Sequence, residues 1–412
     1  MEKINKETTE RVKLRPRRFV PFVAGSLALM LIGGIGFFVS SRINKPGLDT
    51  RSLSIADKTQ EVKTLDKGLP LATHLPLPVE VRGIYATAST ASSLVRYKAL
   101  LTAVKEKGIN AVVLDVKTDD GSLAFLPHEE KLSSSAPVKK LITDLDAVVG
   151  VTHGMGMYLI ARIPVFEDPA YAKRYPKIAL QLASGGLWKD AKGLAWLDPA
   201  ATEVWKYNAE VAREVYKRGF DEIQFDYIRF ATDGSTSRIV YPVFDKKKET
   251  MRNVIGRFFS FLDLELRRKG IPISADLFGF TTWHQNDLGI GQWYSDAITN
   301  FDFVSPMVYP SHYPAGTLGF KNPAVHPYEI VLDSLKKGNE VIDESRVGDA
   351  SKKLASQRPW IQAFNMGATY TPEMVSAQVR ASRESGASGF LFWNAANNYS
   401  SLPKLSNYTS NL

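Results

Sequence analysis

Hydrophobic and polar positions alternate with a regular rhythm from about residue 80 onward. Short apolar runs, rich in β-branched and aromatic residues, are separated by longer segments with the period of an amphipathic helix. Eight apolar runs occur, at 81–88, 111–117, 158–164, 222–230, 273–279, 303–310, 359–365 and 389–395. Several helical segments end on a glycine just before the next run: Gly108, Gly219, Gly270 and Gly386. This order predicts parallel strands joined by helical crossovers.

Eight such units predict a closed (β/α)8 barrel, the TIM barrel, over residues 81–412. The alternative is an open, doubly wound sheet. That fold usually carries a glycine-rich phosphate loop after its first strand, and none follows the run at 81–88. The longest connections come after the second and third runs. Long connections after barrel strands predict an elaborated catalytic face.

The segment before the barrel predicts a membrane anchor. Residues 19–40 contain no charged residue and are long enough to cross a bilayer as a helix. Residues 1–18 form a basic tail, which the positive-inside rule places in the cytoplasm. Residues 41–80 are polar and proline-punctuated, and predict an extracytoplasmic linker. A cleaved signal peptide is the alternative, but the apolar stretch is long and no A-x-A-like site follows it.

Composition excludes several classes of function. Residues 1–18 carry +4 of the formal charge of +9, and the remaining +5 is too diffuse for a nucleic-acid surface. The chain has no cysteine, which excludes disulfides, thiolate catalysis and cysteine-ligated zinc. Its six histidines show no metal-ligand spacing. We therefore expect no metal and no cofactor. The oligomeric state is left open.

The run “DEIQFDYIRF” at 221–230 places two opposite charges, Asp226 and Arg229, near the end of an otherwise apolar strand. Asp276 occupies a similar position on the next strand, and the strand alternation puts both aspartates on one face. Two nearby carboxyls separate each other's pKa values, so that one is ionised and the other carries a proton. Glycosidic bond cleavage needs such a pair. We predict Asp226 and Asp276 as the catalytic residues.

Further polar and aromatic residues lie at or just after the strand ends, whereas the N-terminal ends look largely aliphatic. The predicted substrate-binding residues are Asp115, Lys117, Arg162, Arg229, Trp283, His284, Tyr309, Gln362, Asn365, Trp393 and Asn394. Aromatic rings stack on the apolar faces of sugars while amides and charged groups bind the hydroxyls. A purely structural alternative pairs Asp226 with Arg162 or Arg229, and Asp276 with Lys117.

The chain resembles a family of bacterial membrane-anchored or exported proteins described as glycoside hydrolases. The segments that carry this resemblance include “VRGIYATA”, “NAVVLDVKTDDG”, “EIQFDYIRFATDG”, “DFVSPMVYPSHY” and “FLFWNA”. It implies a (β/α)8 barrel distantly similar to α-amylase-like glycosidases, in which a nucleophilic Asp on strand 4 corresponds to Asp226 and the acid on strand 5 to Asp276. That acid is normally Glu, and the usual strand 7 carboxylate is replaced here by Gln362 and Asn365.

These observations lead to three hypotheses. The first is a membrane-tethered, extracytoplasmic glycoside hydrolase that cleaves a cell-wall or extracellular polysaccharide with two carboxyls. The second is a carbohydrate-binding barrel without turnover. The third is a lyase that uses Tyr309 as its acid–base group.

Overall fold

The computed structural model describes residues 73–349 and 351–405. The predicted basic tail at 1–18, the predicted anchor at 19–40 and most of the predicted linker at 41–80 lie outside this part of the chain. Within the described ranges, no helix has both the length and the apolar character needed to span a bilayer. Residues just before the predicted domain boundary already contact the barrel, since the backbone amide of Leu75 donates to Asp221 at 2.7 Å.

Eight parallel strands form the centre of the fold, and seven of them begin at the residue that the pattern predicts. The strands are β1 Val81–Ala86, β2 Ala111–Asp115, β3 Tyr158–Pro164, β4 Glu222–Asp226, β5 Ile273–Phe278, β6 Phe303–Met307, β7 Trp360–Gln362 and β8 Gly389–Trp393. A two-residue strand, Ser356–Gln357, comes before β7 and also pairs with β6.

The sheet closes on itself. Each strand pairs with its neighbours in chain order, β8 pairs with β1 through Val81 and Gly389, and β7 reaches β6 through Trp360 and Met307. A doubly wound sheet would leave two open edges. The parallel (β/α)8 barrel is therefore confirmed, and the C-terminal strand ends meet at one opening, here called the barrel mouth.

One longer helix follows each of β1 to β7 and covers the outside of the barrel, and three short helices, Ala88–Ala91, Glu130–Ser135 and Pro169–Arg174, lie in the connections after β1, β2 and β3. The longer helices are α1 Leu94–Lys105, α2 Leu145–Gly154, α3 Thr202–Lys217, α4 Met251–Glu265, α5 Tyr294–Asn300, α6 Pro327–Arg346 and α7 Pro372–Glu384. Asp144 and Thr371 cap the starts of α2 and α7 by accepting a hydrogen bond from the third residue of each helix. Gly219 and Gly270 adopt φ values of 101° and 85°, as the predicted helix ends require.

Hydrophobic side chains form two packed regions. The larger lies between the strands and the helices, and the smaller fills the barrel interior with residues such as Tyr85, Val113, Ile160 and Leu391. The two layers divide along each strand because successive side chains point to opposite faces.

The N-terminal end of the barrel interior is not aliphatic, which corrects the expectation from sequence. Glu222 and Arg358 form a completely buried ion pair there. The hydroxyl of Ser274 donates to Glu222 at 2.6 Å, and Gln224 donates to Ser305 at 3.1 Å one layer higher. Burying two charges is tolerable only when they are paired and hydrogen-bonded. Glu222 meets both conditions, while the Nε of Arg358 has no hydrogen-bond partner among the described residues.

The long connection after β3 forms a small antiparallel substructure beside the barrel mouth. Its strand Gln181–Leu182 pairs antiparallel with Ile239–Val240 from the connection after β4. A further antiparallel bridge joins Glu167 to Trp196. These pairings place both residues next to the end of β4, since the amide of Phe166 donates to the carbonyl of Tyr227 at 3.3 Å.

Candidate active site

Strand β4 ends at Asp226, earlier than predicted. The next residue, Tyr227, has a left-handed backbone with φ of 52°, so the chain leaves the sheet there and Arg229 is not part of the strand. The amide of Tyr227 donates to Oδ1 of Asp226 at 2.6 Å. The turn therefore fixes the carboxylate at the mouth. A left-handed conformation in a residue other than glycine is a strained feature that often occurs at functional sites.

Asp226 and Asp276 occupy equivalent positions on neighbouring strands. Phe225 of β4 is in register with Ala275 of β5, and each aspartate comes one residue later. Adjacent strands lie about 4.8 Å apart, so the two carboxyls are close enough to influence each other. The predicted pair is thus brought together on one face of the mouth.

Arg162 links two carboxylates. Its Nη2 and Nε donate to Oδ2 of Asp226 at 2.6 and 3.1 Å, and its Nη1 donates to Oδ1 of Asp115 at 2.7 Å. All three side chains are almost fully buried. Charge-assisted hydrogen bonds of this kind are stronger than neutral ones, so Arg162 and Asp226 form a tightly held buried ion pair.

Asp115 is also bound by Tyr85, whose hydroxyl donates to Oδ2. Burial raises the pKa of Asp115 to about 6, and the nearby Asp119 adds to the rise, while Arg162 opposes it. The ring of Trp393 stacks on Tyr85 with centroids 4.2 Å apart, and the Arg162 guanidinium lies 5.3 Å from the Trp393 ring. Aromatic rings therefore line this side of the network formed by Asp115, Arg162 and Asp226.

Asp276 lies in a less polar environment. Its Oδ1 accepts a hydrogen bond from the indole Nε1 of Trp360 at 2.7 Å, and the residue is 1% exposed. Burial raises the pKa of Asp276 well above its usual range, and the charge of Asp226 raises it further. A carboxyl in such a setting holds its proton to higher pH than an ordinary aspartate does. The structural alternative that paired Asp276 with Lys117 is wrong.

Tyr309 lies close to both aspartates. Its ring packs edge-on against Phe364 at 5.6 Å, and burial, together with the charges of Asp276 and Asp226, raises the pKa of its hydroxyl well above the usual value. Within 73–349 and 351–405, this hydroxyl has no hydrogen-bond partner and is not sealed from solvent. The hydroxyl therefore has hydrogen-bonding capacity that no described residue uses.

Lys117 is directed away from the mouth. Its ammonium is fully buried, forms an ion pair with Asp168 at 2.7 Å and donates to Asn208 of α3 at 3.1 Å. Burial lowers its pKa, and Asp168 opposes that effect. These contacts give Lys117 a role in the barrel wall, and we leave it out of the proposed site.

Two predicted residues after β5 also do not join the cluster. Trp283 donates to Ser334 of α6 at 2.9 Å and packs against Tyr313, and His284 is exposed. The chain turns outward after Phe278 through a short 3-10 helix, Gly279–Thr282, which directs Trp283 toward α6.

The three predicted amides bind the protein's own loops. Gln362 donates to the carbonyl of Phe364 at 3.0 Å and accepts from the amide of Ser311 at 3.2 Å. Asn365 accepts from the amide of Tyr370, and Asn394 donates to the carbonyl of Ala363 at 2.6 Å. Their hydrogen bonds shape the loops after β6, β7 and β8, which leaves less capacity for a sugar.

Arg229 stands apart from the Arg162 network. No carboxylate within the described residues forms an ion pair with it. Its guanidinium lies between the rings of Trp196 and Phe278, at 4.8 and 4.7 Å. Asp226 therefore pairs with Arg162, and the alternative pairing of Asp226 with Arg229 is wrong.

Sequence reasoning missed three residues at the mouth. They are Tyr85, Trp360 and Glu167. Tyr85 and Trp360 each donate a hydrogen bond to a site carboxyl. Glu167 is 3% exposed, and burial raises its pKa to about 8. Its position three residues after β3 was the available signal, since catalytic residues follow barrel strands.

No set of three His, Asp or Glu side chains within 73–349 and 351–405 is arranged to hold a metal ion. Asp115 and Asp226 are instead paired with Arg162, and burial raises the pKa of Asp276. The arrangement offers a carboxylate paired with an arginine, a carboxyl that holds its proton to higher pH than usual, and aromatic walls.

Residues 83–399 match the family DUF4015, which is described as “Putative glycosyl hydrolase domain”. The chain belongs to this family. The match runs from within β1 to beyond β8, so it covers almost the whole barrel. Membership of DUF4015 supports the assignment of the chain as a glycoside hydrolase, and it agrees with the resemblance seen in the sequence. Neither the membrane anchor nor a substrate follows from it.

Several solved structures are similar. A hypothetical protein from Ruminiclostridium thermocellum is 29% identical, with 50% of this chain and 98% of that chain covered and a TM-score of 0.43. The glycoside hydrolase domain of PgaB (BpsB) from Bordetella bronchiseptica is 14% identical, with 78% and 95% covered and a TM-score of 0.53. α-L-Fucosidase isoenzyme 2 from Paenibacillus thiaminolyticus is 14% identical, with 78% and 48% covered and a TM-score of 0.50. The two hydrolases show a shared fold. No curated protein sequence matches the chain.

Proposed function

We propose that this DUF4015 protein hydrolyses glycosidic bonds with Asp226 as nucleophile or base and Asp276 as acid. One observation carries the proposal: Arg162 forms a buried ion pair with Asp226, whereas burial raises the pKa of Asp276 on the adjacent strand. Two neighbouring carboxyls in opposite protonation states are what this reaction needs.

The reaction balances with these two groups. Asp276 gives its proton to the glycosidic oxygen as the bond to the anomeric carbon breaks. In a retaining enzyme, Asp226 attacks that carbon and forms an ester, which water then hydrolyses while returning a proton to Asp276. In an inverting enzyme, Asp226 instead takes a proton from the attacking water. Adjacent strands favour the short carboxyl separation of about 5 Å that goes with retention.

Aromatic residues around the pair support a saccharide ligand. Tyr309 has a free hydroxyl within the described residues, and Trp393 is half-buried beside Arg162. Flat rings bind sugar faces, while Tyr309 and the edge of Arg162 supply polar contacts. We assign Tyr309, Trp393, Asp115 and Arg162 to substrate binding or to its support.

We infer the substrate class and the cellular location from the amino-acid sequence. An apolar segment at 19–40 with a basic flank supports a single-pass anchor with the barrel outside the cytoplasm. A polysaccharide of the cell wall or of the extracellular matrix is the substrate that such a position would offer.

A carbohydrate-binding barrel without turnover is the second candidate, and one observation favours it. Both oxygens of Asp226 already accept hydrogen bonds, and Asp276 is 1% exposed. Two cavities, of about 560 and 180 Å³, lie around Lys98 on α1 and around Asp146 on α2, away from the mouth. An enzyme would have to open the mouth to admit its substrate.

The test incubates the full chain with a panel of cell-wall and extracellular polysaccharides and measures new reducing ends. We expect release by the wild type and by Asp343→Asn, a matched change at an exposed aspartate of α6. Asp226→Asn and Asp276→Asn should lose the activity. Binding without cleavage that is unchanged in Asp226→Asn would favour the binding barrel. Products that absorb in the ultraviolet would indicate a lyase.

A further inference from the structure

Arg229 presents an unused hydrogen-bonding edge. Its Nη1 donates to the carbonyl of Phe230 and to the hydroxyl of Thr232, both at 3.0 Å. The Nε and Nη2 atoms have no partner among the described residues, and neither is sealed from solvent, although the residue is only 5% exposed. This pair of nitrogens is the edge with which arginine binds carboxylates in a bidentate manner.

The guanidinium is held rigidly in place. The rings of Trp196 and Phe278 enclose it, and Tyr227 lies 5.7 Å away. Stacked rings cannot neutralise its charge as a carboxylate would. An arginine fixed in this way loses little side-chain conformational entropy when it binds a ligand, because its orientation is already set.

Glu167 lies near Arg229 but does not supply the missing negative charge at neutral pH. Burial raises the pKa of Glu167 to about 8. Lys192 and Arg229 act against this rise, while Asp190 and Asp226 reinforce it. Tyr227 also feels the charge of Glu167. Neither carboxyl oxygen of Glu167 accepts a hydrogen bond from a described residue. Its neutral form can donate a hydrogen bond to an incoming group.

This arrangement lies beside the proposed catalytic pair. Phe278 comes two residues after Asp276 on β5, so the two side chains share a face of the strand. Tyr227 directly follows Asp226. A sugar bound against Arg229 would therefore be next to the bond that the two aspartates cleave.

We propose that Arg229 and Glu167 form a subsite for a saccharide that carries an oxyanion, with Arg229 pairing with the anion and Glu167 donating a hydrogen bond to it. The planar Nε and Nη2 edge suits a sugar carboxylate, and a sugar phosphate has the same chemistry of charge and acceptor oxygens. The position of the subsite next to the cleaved bond rests on the proposed function. The binding of an anionic saccharide to Arg229 and Glu167 does not depend on that function.

The test measures binding to the purified full chain by calorimetry. The probes are glucuronic acid and galacturonic acid, their neutral counterparts glucose and galactose, and glucose 6-phosphate. We expect the acidic sugars to bind at least about tenfold more tightly than the neutral ones. The preference should weaken as the pH rises past the pKa of Glu167, about 8, because the ionised Glu167 repels the ligand and pairs with Arg229.

Three variants assign the effect to residues. Arg229→Gln should remove the preference for acidic sugars, and Arg229→Lys, which keeps the charge but loses the two-nitrogen edge, should weaken it. Glu167→Gln should keep the preference and abolish its dependence on pH, since the amide cannot ionise. Unfolding midpoints of all three variants identify any that fail to fold, and Arg229→Lys keeps the test decisive if Arg229→Gln does not fold.

Equal binding of acidic and neutral sugars by the wild type would overturn the proposal, and so would an unchanged preference in a folded Arg229→Lys. Tighter binding of glucose 6-phosphate than of the uronic acids, lost in Arg229→Gln, would support the subsite and identify the anion as phosphate. Asp226→Asn separates this proposal from hydrolysis, because it should still bind acidic sugars. A protein that binds them and cleaves nothing would refute the proposed function alone.

Discussion

Arg162 donates two hydrogen bonds to a single oxygen of Asp226, at 2.6 and 3.1 Å, while its third nitrogen binds Asp115 at 2.7 Å. One buried guanidinium therefore pairs with two buried carboxylates from the strands on either side of its own. The pairing ties β2, β3 and β4 together at the mouth, and it makes Arg162 the centre of the site.

Removing the Arg162 charge should damage both stability and activity. We expect Arg162→Gln to lower the free energy of unfolding by about 3–5 kcal/mol, because two carboxylates then lack their buried partner. Chemical denaturation measures this change. The control is Arg257→Gln, which breaks an exposed pair with Glu249 and should cost less than about 1 kcal/mol. Similar losses in the two variants would contradict the central role of Arg162.

The pH dependence of hydrolysis should follow Asp276. As the acid, Asp276 acts only while protonated, so kcat/KM should fall as the pH rises through its elevated pKa. The hydrogen bond from Trp360 lowers that pKa, and Trp360→Phe removes it. The basic limb of the profile should therefore move to higher pH in Trp360→Phe. A limb that stays in place, or that moves to lower pH, would argue against Asp276 as the acid.

Glu167 should make the protein less stable as the pH rises. Its pKa is about 8 in the folded state and near 4.5 when unfolded, so the folded state binds more protons between these values and the free energy of unfolding falls across that range. Each pKa unit corresponds to about 1.4 kcal/mol. We expect Glu167→Gln to be more stable than the wild type by a few kcal/mol above pH 8 and about equally stable near pH 4.5. Chemical denaturation at the two pH values measures the difference in free energy of unfolding between the variant and the wild type. The same difference at both pH values would contradict the elevated pKa of Glu167.

The buried ion pair at the other end of the barrel should matter for folding but not for chemistry. Arg358→Met leaves Glu222 charged and unpaired, and we expect it to lose about 3–5 kcal/mol of stability. The double variant Glu222→Leu, Arg358→Met should recover most of this loss, because it removes both charges. Its kcat/KM should stay near that of the wild type. A double variant as unstable as the single one would mean that shape, not charge, dominates at this position.

The barrel could be predicted from the sequence because its signals are local. Apolar runs recur in every unit and closing glycines in several of them, so seven of the eight strand starts were predicted to the residue. The strand ends were less accurate, and the reason is visible at Tyr227. Its left-handed backbone interrupts an apolar run that otherwise continues to Phe230, and nothing in the hydrophobic pattern marks it.

The site was predicted only in part, because contacts between strands depend on which way each side chain points. Asp115, Arg162, Asp226 and Asp276 follow the simple alternation and meet at the mouth. Lys117 lies two residues beyond Asp115, but the strand has already ended and its ammonium turns toward Asp168. Glu222 and Arg358 are 136 residues apart, so their pairing could not be read from the chain.

The most direct measurement compares two substrates across two variants. An aryl glycoside with a 2,4-dinitrophenyl group, whose leaving group needs no proton, is set against the polysaccharide that the panel identifies. The account predicts that Asp276→Asn loses most of its kcat/KM on the polysaccharide and keeps it on the aryl glycoside, whereas Asp226→Asn loses about 100-fold or more on both. Equal losses of the two variants on both substrates, or full activity in Asp226→Asn, would contradict the division of roles between the two aspartates.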